Sequence, residues 1–155
     1  LVNPDSRSGI QSIITLVQEK KIPIAFDPST VGVLLEVGVG KVREWLGDMD
    51  LILLNEEEAQ FLTGFSNPVE AASELSTFAE TVVIKRGSLG ALAITRGGNA
   101  VQVEALPTTV IDTTGAGDSF NAGFLVAWMN GRTPRQCLAA GNKIGADSTR
   151  KAGGL

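Results

Sequence analysis

The stretch Asp112-Thr113-Thr114-Gly115-Ala116-Gly117-Asp118-Ser119-Phe120 holds the groups that anion chemistry asks for. Gly115, Ala116 and Gly117 are small and stand directly before an apolar run that reads as a helix over about 116–129. Backbone N–H groups left bare at such a helix start make a nest for an anion, and the helix dipole deepens it. A phosphate fits there. Asp118 falls in the first turn of the same helix, placed to take a proton from whatever the nest presents. A capped helix start with a first-turn acid satisfies the same spacing, and the residues alone leave the two readings level.

Other segments offer weaker chemistry. Asn55-Glu56-Glu57-Glu58 closes an apolar strand and offers Asn55 and Glu58 to a hydrated magnesium ion, which takes a few carboxylate or amide oxygens plus water. Asn67-Pro68-Val69-Glu70 repeats the Asn-x-x-Glu spacing, and an Asn cap with a third-position acid explains both copies better. Lys85-Arg86-Gly87-Ser88-Leu89-Gly90 ends another strand with a tight turn, at the kind of strand end where open α/β sheets receive nucleotides. A plain hairpin turn accounts for it slightly better. Val39-Gly40-Lys41 is no P-loop, since Leu35 replaces its first glycine and Val42 its hydroxyl residue. No G-x-G-x-x-G follows a strand, which argues against a dinucleotide-dependent dehydrogenase.

These residues need a scaffold that sets them at strand ends and at a helix start. Ile10, Ile13, Ile14 and Val17 have amphipathic helical spacing, closed by Lys20 and Lys21 as favourable C-terminal charges. Strands are expected at 22–26, 51–54 and 81–85, with a hairpin of 91–95 and 100–103 across Gly97-Gly98. Between them a glycine-punctuated loop leads to a short helix at 41–46, another spans 56–63 before Gly64, and Asn67-Pro68 opens a third. The chain closes with helices over 116–129 and from Thr133, with Pro134 at the first helical position and Gln136 completing a capping box. Strands alternating with helices imply an α/β, doubly wound, mainly parallel sheet with helices on both faces. Residues 1–155 read as a single domain without repeat or linker.

Composition removes whole classes of mechanism. There is no histidine and no tyrosine, so Ser-His-Asp and Cys-His catalysis and histidine-ligated zinc are excluded, and a general base must be a carboxylate or lysine. Cys137 is the one cysteine, which rules out an internal disulfide and reads as core filler. With 13 Lys+Arg against 17 Asp+Glu the net charge is −4, and no basic stripe suits a nucleic acid or an anionic membrane. No apolar stretch approaches the roughly 20 residues of a membrane span, so a cytoplasmic protein is expected. The chain opens on Leu1-Val2-Asn3-Pro4, the expectation being a piece of something longer.

Extended through Asn121-Ala122-Gly123-Phe124, the glycine segment resembles the second signature of the ribokinase-like sugar kinases, the phosphofructokinase-B family. Asp27-Pro28, Asn55-x-x-Glu58, Lys85-x-Gly87-x-x-Gly90 and an Ala/Gly-rich last helix at 139–146 follow in the order of that family's C-terminal half. The resemblance covers essentially the whole chain, whereas family members are about twice as long. It implies the ATP-binding half of an ATP-dependent carbohydrate kinase, inactive as this piece alone. By it Asp118 is the base for the sugar hydroxyl, and the N–H groups of Gly115, Ala116 and Gly117 hold the transferring phosphoryl group. Phosphoryl transfer needs positioning and charge stabilisation more than covalent chemistry, so a site without histidine suffices. Asn55 and Glu58 would organise magnesium, while Lys85, Gly87, Ser88 and Gly90 would line the ATP site with Asn142 near the adenine. Asp112 and Thr114 resemble ligands for a monovalent cation such as K+. The implied substrate is a small sugar or nucleoside; a homodimer is one assembly open to the chain, and the sequence does not choose the oligomeric state. Ser29 and Thr30 stand where many sugar-acid and fructose kinases of the family carry Asn-x-Arg, which argues against a sugar acid. A nucleoside or vitamin kinase of the same fold, or a non-catalytic nucleotide-binding module, are the alternatives.

Overall fold

A computed structural model describes residues 4–153. The helix α1 spans Pro4–Glu19, so Lys20 and Lys21 lie beyond its last turn, and Lys21 turns the chain with φ 54° instead of charging the helix end. The strand expected over 22–26 shrinks to β1, Ala25–Phe26. Pro23 has no N–H to donate, and the Ile24 N–H goes to the Asp50 carboxylate at 2.8 Å instead of a ladder. The expected loop after β1 is also corrected, because α2 forms over Val31–Val37 and α3 over Val39–Leu46, broken only at Gly38 with φ 86°. Thr30 caps α2 by accepting from the Gly32 N–H at 3.0 Å, a cap strong enough to override the two glycines that read as loop.

The remaining elements follow the expected pattern closely: β2 Leu51–Asn55, α4 Glu56–Thr63, α5 Pro68–Leu75, β3 Thr81–Lys85, β4 Ala91–Thr95, β5 Val101–Val103, α6 Ala116–Met129 and α7 Pro134–Ser148. The sheet is mixed and mostly parallel, in the order β1-β2-β3-β4-β5. Ala25 pairs with Leu51 in the parallel β1–β2 ladder, and Ala91 with Val103 in the antiparallel β4–β5 hairpin. Leu51 to Leu54 and Val82 to Ile84 are buried, the continuous apolar run of a strand covered on both faces.

The chain clusters into two compact units. One is built on the residues up to Ile84 together with Ile94–Gly98, and the other on Lys85–Ala93 with the chain from Asn99 onward. In the first, Leu46, Leu62, Ala71, Ala72 and Leu75 bury the helices' inner faces. In the second, α6 and α7 pack closely because glycines line their contact. A methyl group at Gly141 would stand 2.8 Å from the Phe120 ring, one at Gly123 2.8 Å from the Ala140 carbonyl oxygen, and one at Gly145 3.3 Å from the Ala116 carbonyl oxygen. That contact at Ala116 fixes the start of α6, where the first-turn acid sits.

No helix among the described residues is long and apolar enough to cross a membrane.

Candidate functional site

The start of α6 has no side-chain cap. Gly115 occupies the cap position with φ 72° and ψ 3°, left-handed geometry that glycine adopts without strain. Ala116 donates its N–H to the Thr113 carbonyl at 3.1 Å, and Ser119 donates to Gly115 at 2.9 Å. The N–H groups of Gly117 and Asp118 have no backbone acceptor among the described residues. The nest therefore centres on 117 and 118, with Ala116 held in its own turn. An N-terminus without a capping side chain leaves these donors to an external acceptor.

Lys85 completes this charge arrangement. A methyl carbon added at Gly117 would lie 3.7 Å from its Nζ, and the same ammonium donates to Asn121 Oδ1 at 3.3 Å. Asn121 stands one turn beyond Asp118 on α6, a spacing that puts both on one helix face. Asn121 lies within the glycine-rich signature, which by itself assigns it no role. Its signal was that i, i+3 relation to the first-turn acid. Asp118 itself is exposed in the first turn.

Asp112 and Thr114 shape the loop that enters the nest. Asp112 Oδ1 accepts from the Thr114 N–H at 2.9 Å and Oδ2 from the Gly153 N–H at 3.0 Å. These bonds, Gly153 first and Thr114 second, lower the Asp112 carboxyl from 3.8 to about 2. A carboxyl depressed in the folded state contributes stability above its unfolded value, near 4, and loses that contribution as pH falls toward 2. The Gly153 amide resonance should accordingly titrate in NMR with a midpoint near pH 2. A midpoint near 4 would remove the tie between Asp112 and the chain after α7.

The turn after β3 has two different glycines. Gly87 opens a 3₁₀ turn over Gly87–Leu89, with φ 55° and open space where a side chain would go, and Ser88 is exposed beside it. Gly90 has φ 89°, and a methyl group there would fall 2.1 Å from the Val103 carbonyl oxygen and 2.6 Å from the Ala105 nitrogen. It is a packing glycine. Asn142 meets the same segment, donating through Nδ2 to the Val103 and Glu104 carbonyls at 3.1 and 3.0 Å from a buried position on α7.

In the other unit, Asn55 and Glu58 form a closed capping box. Asn55 Oδ1 accepts from the Glu58 N–H and Glu58 Oε2 from the Asn55 N–H, both at 2.8 Å, with Glu58 buried. Asn67 accepts from the Val69 and Glu70 N–H groups at 2.9 and 3.4 Å. Among the described residues no group of three or more His, Cys, Asp or Glu is arranged to hold a metal. The box engages one oxygen of each side chain, Asn55 Oδ1 and Glu58 Oε2.

An uncapped helix start with a lysine ammonium beside it, in an α/β fold, is an arrangement that suits an anion. The pfkB family carbohydrate kinase profile matches residues 2–155, and the chain belongs to that family. It is 36% identical over 151 residues to an uncharacterized sugar kinase of Archaeoglobus fulgidus, covering 95% of this chain and 58% of that protein. The structure matches an E. coli protein assigned as ribokinase II, solved with ATP and Mg2+, at TM-score 0.83 and 25% identity over 94% of this chain and 48% of that one. It also matches a nucleoside kinase of Burkholderia thailandensis in complex with inosine at TM-score 0.78 and 26% identity, covering 94% and 49%. The chain spans about half the length of the curated relatives it matches.

Proposed function

We propose that this chain carries the nucleotide and phosphoryl-handling part of an ATP-dependent kinase acting on a hydroxyl of a sugar or nucleoside. The observation that carries the reading is the placement of Lys85 Nζ over Gly117, a fixed cation at a helix start whose N–H groups have no cap. The N–H groups of Gly117 and Asp118, with Gly115 shaping the turn and Ala116 bracing it, hold the phosphoryl group, and Lys85 offsets its charge. Asp118 takes the proton from the acceptor hydroxyl as its oxygen bonds to the terminal phosphorus. The bond from that phosphorus to the bridging oxygen breaks, and ADP leaves with the electron pair.

Gly87 and Ser88 present the turn to the nucleotide, while Gly90 and Asn142 hold the segment behind it. Magnesium entering with the nucleotide would neutralise part of the phosphate charge. Asp112 and Thr114 are the side chains through which a monovalent cation such as K+ would be held. The nucleoside kinase with inosine and a cytidine kinase of Thermococcus kodakarensis, 33% identical over 72% of this chain, support a nucleoside as one acceptor class.

The test is a coupled ADP-release assay over a panel of pentoses, hexoses and nucleosides, beside calorimetry with ATP and magnesium. We expect ATP to bind this chain weakly and no acceptor to be phosphorylated by it alone, since closure by further protein excludes water and completes such sites. Acceptor-dependent ADP release by the 155-residue chain would show that the remainder is dispensable. Absence of any ATP binding would remove the nucleotide reading.

A further inference from the structure

The Lys85 ammonium donates to the side-chain oxygen of Asn121 at 3.3 Å. Both residues belong to the second compact unit, Lys85 at the end of β3 and Asn121 on α6. Side chains on a helix lean toward its N-terminus, so a half-buried amide at 121 reaches back over the turn that begins at 117 and 118. The ammonium it meets there is the one that would stand 3.7 Å from a methyl carbon at Gly117. The long flexible stem of lysine makes its head costly to hold in one place. A hydrogen bond made before any anion arrives lowers that cost at the moment of binding. The kind of acceptor matters as much as its place. An amide oxygen adds direction without adding negative charge, whereas a carboxylate at 121 would add both, one turn from Asp118 and beside the place for an anion.

We infer that Asn121 is a positioning residue for phosphate, which aims the Lys85 ammonium at an anion over Gly117 and Asp118 by means of a neutral oxygen. This rests on the phosphate reading of the α6 start given above. Asn121 acts through Lys85 and takes no part in the proton transfer. Removing its amide loosens the ammonium, so anion binding weakens only while the lysine is there to be aimed. Exchanging the amide for a carboxylate keeps an acceptor for the lysine, and the added charge then opposes both the arriving phosphate and ionised Asp118. A residue that merely supported α6 would behave differently, because its loss would weaken binding whether or not Lys85 was present.

The experiment is a double-mutant cycle read by calorimetry with magnesium–ATP at low ionic strength, on the unsubstituted chain, Asn121→Ala, Lys85→Met and the two combined. Alanine removes the acceptor and suits a helix better than asparagine does, so α6 keeps its form. Asn121→Leu, which is close to asparagine in shape and has no acceptor, serves if the alanine variant does not fold. We expect Asn121→Ala to weaken ATP about fivefold, the order of one hydrogen bond, and less than about twofold when Lys85→Met is already in place. Asn121→Asp should weaken ATP more than Asn121→Ala does, although it retains an acceptor. The same loss in both backgrounds, or no loss in either, overturns the inference. So does an Asn121→Asp variant that binds ATP as tightly as the unsubstituted chain. If Lys85→Met alone leaves ATP affinity unchanged, or the unsubstituted chain binds no ATP, the phosphate reading itself fails and takes the inference with it.

Discussion

Replacing Asp118 by Asn should lower turnover by about 10² or more while leaving ATP affinity nearly unchanged, measured in the longest active form of the protein. Asn preserves the size of the side chain and its backbone N–H remains at position 118, so the nest keeps its donors. What disappears is the proton acceptor in the first turn of α6. The site has no histidine or tyrosine to substitute for it. The two kinetic parameters should therefore separate, with the loss in kcat and little change in KM for ATP. Near-normal turnover in Asp118→Asn would remove Asp118 from the role of base.

Gly90→Ala should be the most damaging small substitution in the second unit, and Gly87→Ala one of the mildest in the same turn. At Gly90 the new methyl group meets backbone at 2.1 Å, which no side-chain rotation can relieve, and φ 89° strains any residue with a Cβ. Overpacking against fixed backbone together with that conformational penalty suggests a loss of about 3 kcal/mol or more. At Gly87 the space is open and only the positive φ of 55° is penalised, about 1 kcal/mol. Chemical denaturation of the two variants under one condition measures the difference. Similar losses would mean that the 103–105 segment gives way to the added methyl group.

How much of this was legible beforehand depends on whether the controlling interaction is local. α4 and α6 end as expected because Gly64 and the residues after Met129 act within a turn of the helix. The α7 capping box was readable because Thr133 and Gln136 are three residues apart. α2 was missed because glycine at 32 and 38 reads as loop, and the Thr30 cap outweighed it. β1 came out short because Asp50, far along the chain, captures the Ile24 N–H that a longer strand would use. In the site, the glycine segment carried its own signal, whereas the ammonium of Lys85 above Gly117 comes from tertiary packing that no spacing encodes. Asn142 was expected beside the adenine from resemblance, and only the structure reveals that its donors are turned to Val103 and Glu104.

The central claim is that Lys85 and the start of α6 together bind phosphate, and ATP affinity of Lys85→Met against Lys143→Met tests it most directly. Lys143 is an exposed lysine of α7 paired with Asp147 at 2.6 Å, so its loss removes the same formal charge away from the nest. Calorimetry with magnesium–ATP at low ionic strength should find Lys85→Met weakened at least about tenfold, the order of a charge-assisted hydrogen bond, and Lys143→Met within about twofold. Equal affinities in the two variants would contradict the account, because phosphate would then sense only the overall charge of the protein and not the ammonium held over Gly117.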